Sequence, residues 1–136
     1  MTKEDIIQKV KSLKLPSDSY VVFGSGPLVV AGIREASDID IYVTPEIIEM
    51  KKAEGWKFLD KGGKDIPLVN DVFEMHTNWN FGTAYNPTFK EMKATATMHD
   101  GVLFASIHEV RKWKLASVRS KDLADIKLID EFLQRS

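Results

Sequence analysis

Apolar residues recur along the chain first at helical and then at extended spacing. From Ile6 to Leu13 they follow helical spacing behind Thr2, a suitable helix cap, and Pro16 ends this helix. Later runs are rich in β-branched and aromatic residues, as strands are. Strands are predicted over residues 20–23, 38–43, 56–59, 72–76 and 102–104. Further helices are predicted over residues 27–31, 45–53, 88–98, 106–118 and 120–133.

Two details refine this pattern. Ser106 and Glu109 form a capping-box signature at the start of one helix, and the final helix carries an apolar stripe that begins at Leu123 and is predicted to face the core. The segment 78–87 is rich in Asn, Gly and aromatic residues, which predicts a surface loop whose aromatic side chains line a pocket.

Composition narrows the possible classes of protein. The chain has 136 residues and is 43% hydrophobic, so we predict one domain over residues 1–136. Lys and Arg total 19 against 20 Asp and Glu, so net charge does not favour binding to nucleic acid or an anionic membrane. The lack of cysteine excludes disulfides and thiolate chemistry. Neither a signal peptide nor an apolar run of roughly 20 residues is present, so we expect a cytoplasmic protein.

Two carboxylates, Asp38 and Asp40, lie one residue apart on a predicted strand that becomes fully apolar after them. Side chains at alternate positions of a strand share a face, so both carboxylates are predicted to point the same way. Nucleotidyl transfer from a triphosphate requires Mg²⁺, which prefers carboxylate oxygens and keeps positions open for water and substrate. The pair therefore predicts a magnesium site.

The strand before this pair ends at a Gly24-Ser25 turn that leads into a short predicted helix. Backbone N–H groups at a helix start, together with a small hydroxyl, can hold phosphate, and we predict this role for both residues. Pro27 removes one N–H group that would otherwise meet a phosphate. The same turn also suits a plain strand-to-helix connection in which Ser25 is only a cap.

A third carboxylate would complete the site. In the predicted strand 72–76, Glu74 is the carboxylate with apolar neighbours on both sides, so we predict it as third metal ligand or general base. Asp71 is the alternative ligand, and Glu74 could instead face solvent. The three histidines, His76, His99 and His108, lack mutual metal-ligand spacing, so structural or surface roles are predicted for them.

The Phe23-Gly24-Ser25 segment and the Asp38-Ile39-Asp40 triplet about a dozen residues later resemble the signature of the polymerase-beta-like nucleotidyltransferase superfamily. Further segments resemble its small bacterial and archaeal branch, which includes nucleotidyltransferase-like proteins of toxin-antitoxin and abortive-infection systems. These segments are Gly32-Ile33-Arg34, Trp113-Lys114, Arg119, Lys121-Asp122 and Asp125. The resemblance spans roughly residues 21–133.

This resemblance implies an α/β (α+β) fold with a small mixed sheet flanked by helices and the site on one face. It implies that Lys114, with Asp122 or Asp125, joins the aspartate pair, and that Lys114 or Arg34 neutralises charge. The substrate-binding set is then Gly24, Ser25, Arg34, Lys114, Lys121, Asp122 and Asp125. An ordinary charged helix surface is the alternative for the C-terminal residues.

Three functions follow as hypotheses. The first is an Mg²⁺-dependent nucleotidyltransferase that uses a nucleoside triphosphate and a hydroxyl acceptor, where nucleic acid enters only as an acceptor resembling tRNA. The second is a non-catalytic module of the same fold that binds a partner protein, as an antitoxin or regulatory subunit does. The third is hydrolysis of a phosphoester at the same metal site. A dinucleotide site is disfavoured because the third glycine of that fingerprint is absent.

Overall fold

A computed structural model describes residues 1–135, so Ser136 of the predicted domain lies outside the described residues. Seven strands form one mixed sheet in the order β3-β4-β5-β2-β1-β7-β6. The strands are β1 Tyr20–Phe23, β2 Ile39–Val43, β3 Lys57–Phe58, β4 Leu68–Asn70, β5 Phe73–His76, β6 Thr97–His99 and β7 Val102–Phe104. The helices are α1 Lys3–Ser12, α2 Gly26–Val30, α3 Pro45–Ala53, α4 Phe89–Ala94, α5 Ile107–Ser117 and α6 Ser120–Arg135.

The central strands of the sheet are mostly buried and apolar, apart from polar side chains of β2 and β5. Strand β2 runs parallel to β5 and antiparallel to β1, and β1 runs parallel to β7. Parallel strands in the middle of a sheet are usually covered on both sides, and β1 is fully buried here. The sheet is therefore mixed and flanked by helices, which confirms the coarse prediction. None of the helices within residues 1–135 combines the length and the apolar character needed to cross a bilayer.

The predicted helix to residue 98 is wrong in its last part. Helix α4 ends at Ala94, and Thr97–His99 instead forms β6, which pairs antiparallel with β7. Asp100 and Gly101 join these strands with positive φ angles of 49° and 84°. An Asp-Gly pair of this kind is a strong hairpin signal, so the sequence did contain the information that overrides the helical spacing.

Strand β4 was not predicted. It forms a hairpin with β5 across a tight turn at Asp71, where φ is 52°, and Asn70 pairs with Phe73. The strand predicted over residues 56–59 is shorter and comprises only Lys57–Phe58. The side of the sheet next to β5 thus contains a strand, β4, that the sequence pattern does not predict.

The apolar stripe of α6 begins later than predicted. Leu123 is 56% exposed, whereas Asp122 and Asp125 are buried and Ile129 is in the core. Acidic side chains therefore occupy the inward positions of the first two turns. The capping box of α5 forms only in part: Ser106 accepts from the Glu109 backbone N–H, while the Glu109 carboxylate accepts from the Tyr85 hydroxyl.

Candidate functional site

Register in the sheet brings together three potential ligands. Asp40 of β2 pairs directly with Glu74 of β5, and Tyr42 pairs with His76. Because alternate residues of a strand share a face, Asp40, Glu74 and His76 lie on the same face. One ligand atom from each of these three residues lies within 4.8 Å of the other two. The sheet thus presents two carboxylates and an imidazole as one group.

Gly24 makes room for Asp40. It has a φ of +63°, and a Cβ atom added there would lie 2.3 Å from Asp40 Oδ2. Real side chains do not approach so closely, so only glycine permits this position of the carboxylate, and a left-handed φ is also readily adopted by glycine. The structural role of Gly24 is therefore to support Asp40.

Glu74 forms an ion pair with Lys61 at the cavity. Lys61, in the turn between β3 and β4, lies 2.8 Å from Glu74 Oε1. Burial raises the pKa of the Glu74 carboxyl, the Lys61 hydrogen bond opposes this, and the nearby Asp40 and Asp38 charges raise the pKa further. Together these effects raise the pKa of Glu74, as expected for a carboxyl group that lies close to other acidic side chains.

A network of ion pairs faces these carboxylates. Asp125 of α6 accepts two hydrogen bonds from Arg34, at 2.7 and 2.8 Å, and lies 2.8 Å from Lys114 Nζ. Asp122 pairs with Lys114 at 3.4 Å and with Arg119 at 2.7 Å. Burial works against the charge on Asp122, but hydrogen bonds from Arg119 and Ser117 and the Lys114 charge lower its pKa to about 2. The pKa of Asp125 is also lowered, because hydrogen bonds from Arg34 and Lys114 outweigh the effect of burial, so both aspartates are ionised at neutral pH.

Ser25 links the turn to this network. Its hydroxyl oxygen accepts a hydrogen bond of 2.8 Å from Arg34 Nη2. The Ser25 side chain does not cap α2, so its hydroxyl oxygen accepts no hydrogen bond from the start of that helix, and the hydroxyl hydrogen is a donor. The serine can therefore donate to a ligand while Arg34 fixes its position.

These elements surround one cavity of about 260 Å³. Its lining includes five acidic residues, which are Asp38, Asp40, Asp65, Glu74 and Asp125. Trp79 and Phe81 of the loop 78–87 also line it, as predicted, and Trp113 of α5 is a third aromatic residue of the lining. The cationic wall consists of Arg34, Lys114, Arg119 and Lys121.

The cavity contains most of the residues predicted from the sequence. Of that set, Gly24 and Asp122 do not line it, because Gly24 lies behind Asp40 and Asp122 lies behind Lys114. Asp38 lines it but is exposed, precedes β2 by one residue and lies outside the group of three ligand atoms. The alternative ligand Asp71 lies away from the cavity and pairs with Lys9.

Two residues of the site were missed. His76 was predicted to be structural, but it stands two positions after Glu74 on the same strand, and its Nε2 lies 3.6 Å from Asp40 Oδ1. The Glu-x-His spacing on a predicted strand was the available signal. Lys61 reaches Glu74 only through the β3–β4 connection, and no local pattern indicates that contact.

The fold and site define a mixed α/β protein in which a carboxylate and histidine cluster and a group of cations belong to one cavity. The donor set fits a divalent cation, because carboxylate oxygens and an imidazole nitrogen are ordinary metal ligands and these atoms lie within 4.8 Å of one another. Comparisons with protein-family models, with curated proteins and with solved structures find no match to this chain.

Proposed function

We propose that this protein is a metal-dependent nucleotidyltransferase that binds a nucleoside triphosphate in the cavity and transfers a nucleotidyl group to a hydroxyl acceptor. The observation that carries the proposal is that carboxylates and cations line the same cavity. Asp38, Asp40 and Glu74 lie on or next to the central strands, and the cations from the helical side of the lining are Arg34, Lys114, Arg119 and Lys121. A magnesium triphosphate carries both signs of charge and matches this arrangement.

The cations of the lining have different tasks. Arg34 and Lys114 are both bound by Asp125, so these ion pairs hold the wall in place and reduce, without cancelling, the positive charge that the two cations present to a ligand. Lys121 is exposed on the cavity, and within residues 1–135 no carboxylate lies at ion-pair distance from it. Lys121, with the Ser25 hydroxyl, is therefore our choice for direct contact with phosphate.

Asp38 and Asp40 would hold the metal, which would supply charge neutralisation on the phosphates and lower the pKa of the attacking hydroxyl when bound. The acceptor oxygen forms a bond to the α-phosphorus, the bond to the bridging oxygen breaks, and pyrophosphate leaves. Glu74 either takes the hydroxyl proton, for which its raised pKa suits it, or completes the metal site and leaves the proton to solvent water. Positioning and electrostatics provide the rate enhancement.

One observation favours a second function, a non-catalytic module that binds a partner protein. Glu74 already has a cation, Lys61, at 2.8 Å, so one of the three acidic groups is neutralised without metal. In such a module the Lys61–Glu74 ion pair would stabilise the cavity and would not take part in binding a substrate. Phosphoester hydrolysis at the same cavity, the third hypothesis, would be revealed by product analysis.

Calorimetric titration separates these functions. Nucleoside triphosphates are titrated into the unaltered protein and into Asp40→Asn, each with and without Mg²⁺. The enzyme hypothesis predicts binding that requires the cation and weakens by at least about tenfold in the variant, as expected when a metal site is damaged. Pyrophosphate release in the presence of candidate acceptors then tests transfer itself.

Asp18→Asn is the matched control, because Asp18 is an exposed aspartate outside the cavity lining and its substitution removes the same charge. It should leave binding unchanged. Triphosphate binding that ignores both the cation and Asp40→Asn would overturn the enzyme hypothesis and favour the binding module.

A further inference from the structure

His76 is the unusual member of the ligand group. A Mg²⁺ site is ordinarily built from oxygen donors, and the carboxylates of Asp38, Asp40 and Glu74 would suffice for one. Here the imidazole Nε2 nevertheless lies 3.6 Å from Asp40 Oδ1, and the His76 side chain is only 7% exposed. A nitrogen donor is therefore buried next to the central carboxylate.

The distance between these two atoms is informative. At 3.6 Å the two atoms are beyond the distance of a good hydrogen bond, although they are within ion-pair distance. Two donors on one cation lie roughly 3 to 4 Å apart, and this separation falls in that range. The two side chains are spaced as ligands of a shared ion would be.

Aromatic neighbours hold the His76 ring. Its centroid lies 4.8 Å from that of Trp79 and 5.6 Å from that of Phe81, both in edge-to-face geometry. Packing of this kind restricts rotation of the imidazole about its side-chain torsions. The nitrogen donor is thus fixed in position before any ion arrives.

The chemistry of the donor set points to a class of ion. Carboxylates and water suit Mg²⁺ and Mn²⁺ alike, whereas imidazole favours first-row transition ions. We infer that His76 is a nitrogen ligand of the metal, so that the cavity binds a divalent transition ion such as Mn²⁺ in preference to Mg²⁺. This inference rests on the proposed function, because it concerns the cation of the same cavity.

The test uses Mn²⁺ alone, without nucleotide. The protein is prepared with ¹⁵N-labelled histidine and in unlabelled form, and pulsed electron paramagnetic resonance measures nitrogen coupling to the bound Mn²⁺. We expect a coupling that changes with the isotope. Competition titrations should show Mn²⁺ bound at least about tenfold more tightly than Mg²⁺, and that preference should largely disappear in His76→Gln.

The controls separate the possible failures. His108→Gln, at an exposed histidine away from the cavity, should retain the coupling. If Mn²⁺ binds, is lost in Asp40→Asn and shows no histidine coupling in the unaltered protein, the inference about His76 is overturned while the proposed metal site stands. If Mn²⁺ binding is unaffected by Asp40→Asn, both fail. The isotope measurement needs no variant, so it decides the question even if His76→Gln does not fold.

Discussion

At the scale of single residues, Gly24 is the position where the smallest change should have the largest effect on the site. In Gly24→Ala the new methyl group would meet Asp40 Oδ2 at 2.3 Å, so the carboxylate must move. We expect divalent cation affinity, measured by calorimetry, to fall by about 10- to 100-fold. The left-handed φ adds about 1 to 2 kcal/mol of destabilisation.

Gly32→Ala is the matched control. Gly32 also has a left-handed φ, +77°, but a Cβ atom there would have nothing within 4 Å. This variant should lose a similar amount of stability and keep its cation affinity. An equal loss of cation affinity in both variants would mean that the loss in Gly24→Ala does not arise from displacement of the Asp40 carboxylate.

A second prediction concerns Lys61. Its ammonium neutralises Glu74 at 2.8 Å, and a bound cation must compete with it. Lys61→Met should therefore tighten Mg²⁺ or Mn²⁺ binding, by about fivefold, which corresponds to about 1 kcal/mol for a partly exposed ion pair.

Lys64→Met provides the comparison, since Lys64 belongs to the same turn but does not line the cavity. Its cation affinity should match that of the unaltered protein. Weaker binding in Lys61→Met would indicate that Lys61 supports the metal ligands and does not compete with the ion.

At the scale of elements, the corner between α5 and α6 shapes the cationic wall. Val118 ends α5 with a φ of 49°, an unfavourable conformation for a β-branched residue. Helix α6 begins two residues later, and this short connection places Asp122 beside Lys114 and Arg119. The strain at Val118 thus accompanies the tight turn that assembles the ion network.

Asp122 should make the stability of this corner depend on pH. Its folded pKa of about 2 is below the ordinary value of 3.8, so its ionised form stabilises the fold above about pH 4 and this contribution is lost as pH falls toward 2. Asp122→Asn should cost about 2 kcal/mol or more at neutral pH. Urea unfolding from pH 7 to pH 2.5 should show this difference narrowing below pH 4.

Asp130→Asn tests whether an exposed ion pair of α6 contributes to the free energy of unfolding as much as the buried Asp122 does. Asp130 pairs with Arg111 at 2.7 Å, but both side chains are partly exposed, so the loss should be much smaller. A stability difference for Asp122→Asn that stays constant from pH 7 to pH 2.5 would contradict the assignment of the low pKa to this residue.

Elements with strong local signals were predictable, and the others were not. Thr2 marked the start of the first helix correctly, and in the structure it forms a capping box with Asp5. The stripe of α6 misled at Leu123 because apolar periodicity cannot register that two aspartates are buried by ion pairing with residues distant in sequence, such as Arg34. The helix predicted to residue 98 was likewise wrong in its last part, because the hairpin turn at Asp100-Gly101 outweighs the helical spacing there.

At the scale of the whole molecule, the net charge of -1 does not reveal that acidic and basic side chains are concentrated at one site. One cavity is lined by acidic groups on or next to the central strands and by cations from α5, α6, the connection between them and the segment after α2. The sequence could indicate which carboxylates belong to the site, because Asp38, Asp40 and Glu74 stand out locally. It could not indicate that β2 and β5 are neighbours, and this pairing brings His76 to Asp40.

The central claim, that the cavity binds a metal together with a triphosphate, is tested most directly by a crystal structure with Mn²⁺ and a triphosphate analogue that resists cleavage between the α- and β-phosphorus atoms. Anomalous scattering locates the manganese. We predict a peak within bonding distance of the Asp40 carboxylate, with the phosphates extending toward Ser25 and Lys121. A manganese peak away from Asp40, or a triphosphate bound outside this cavity, would contradict the account.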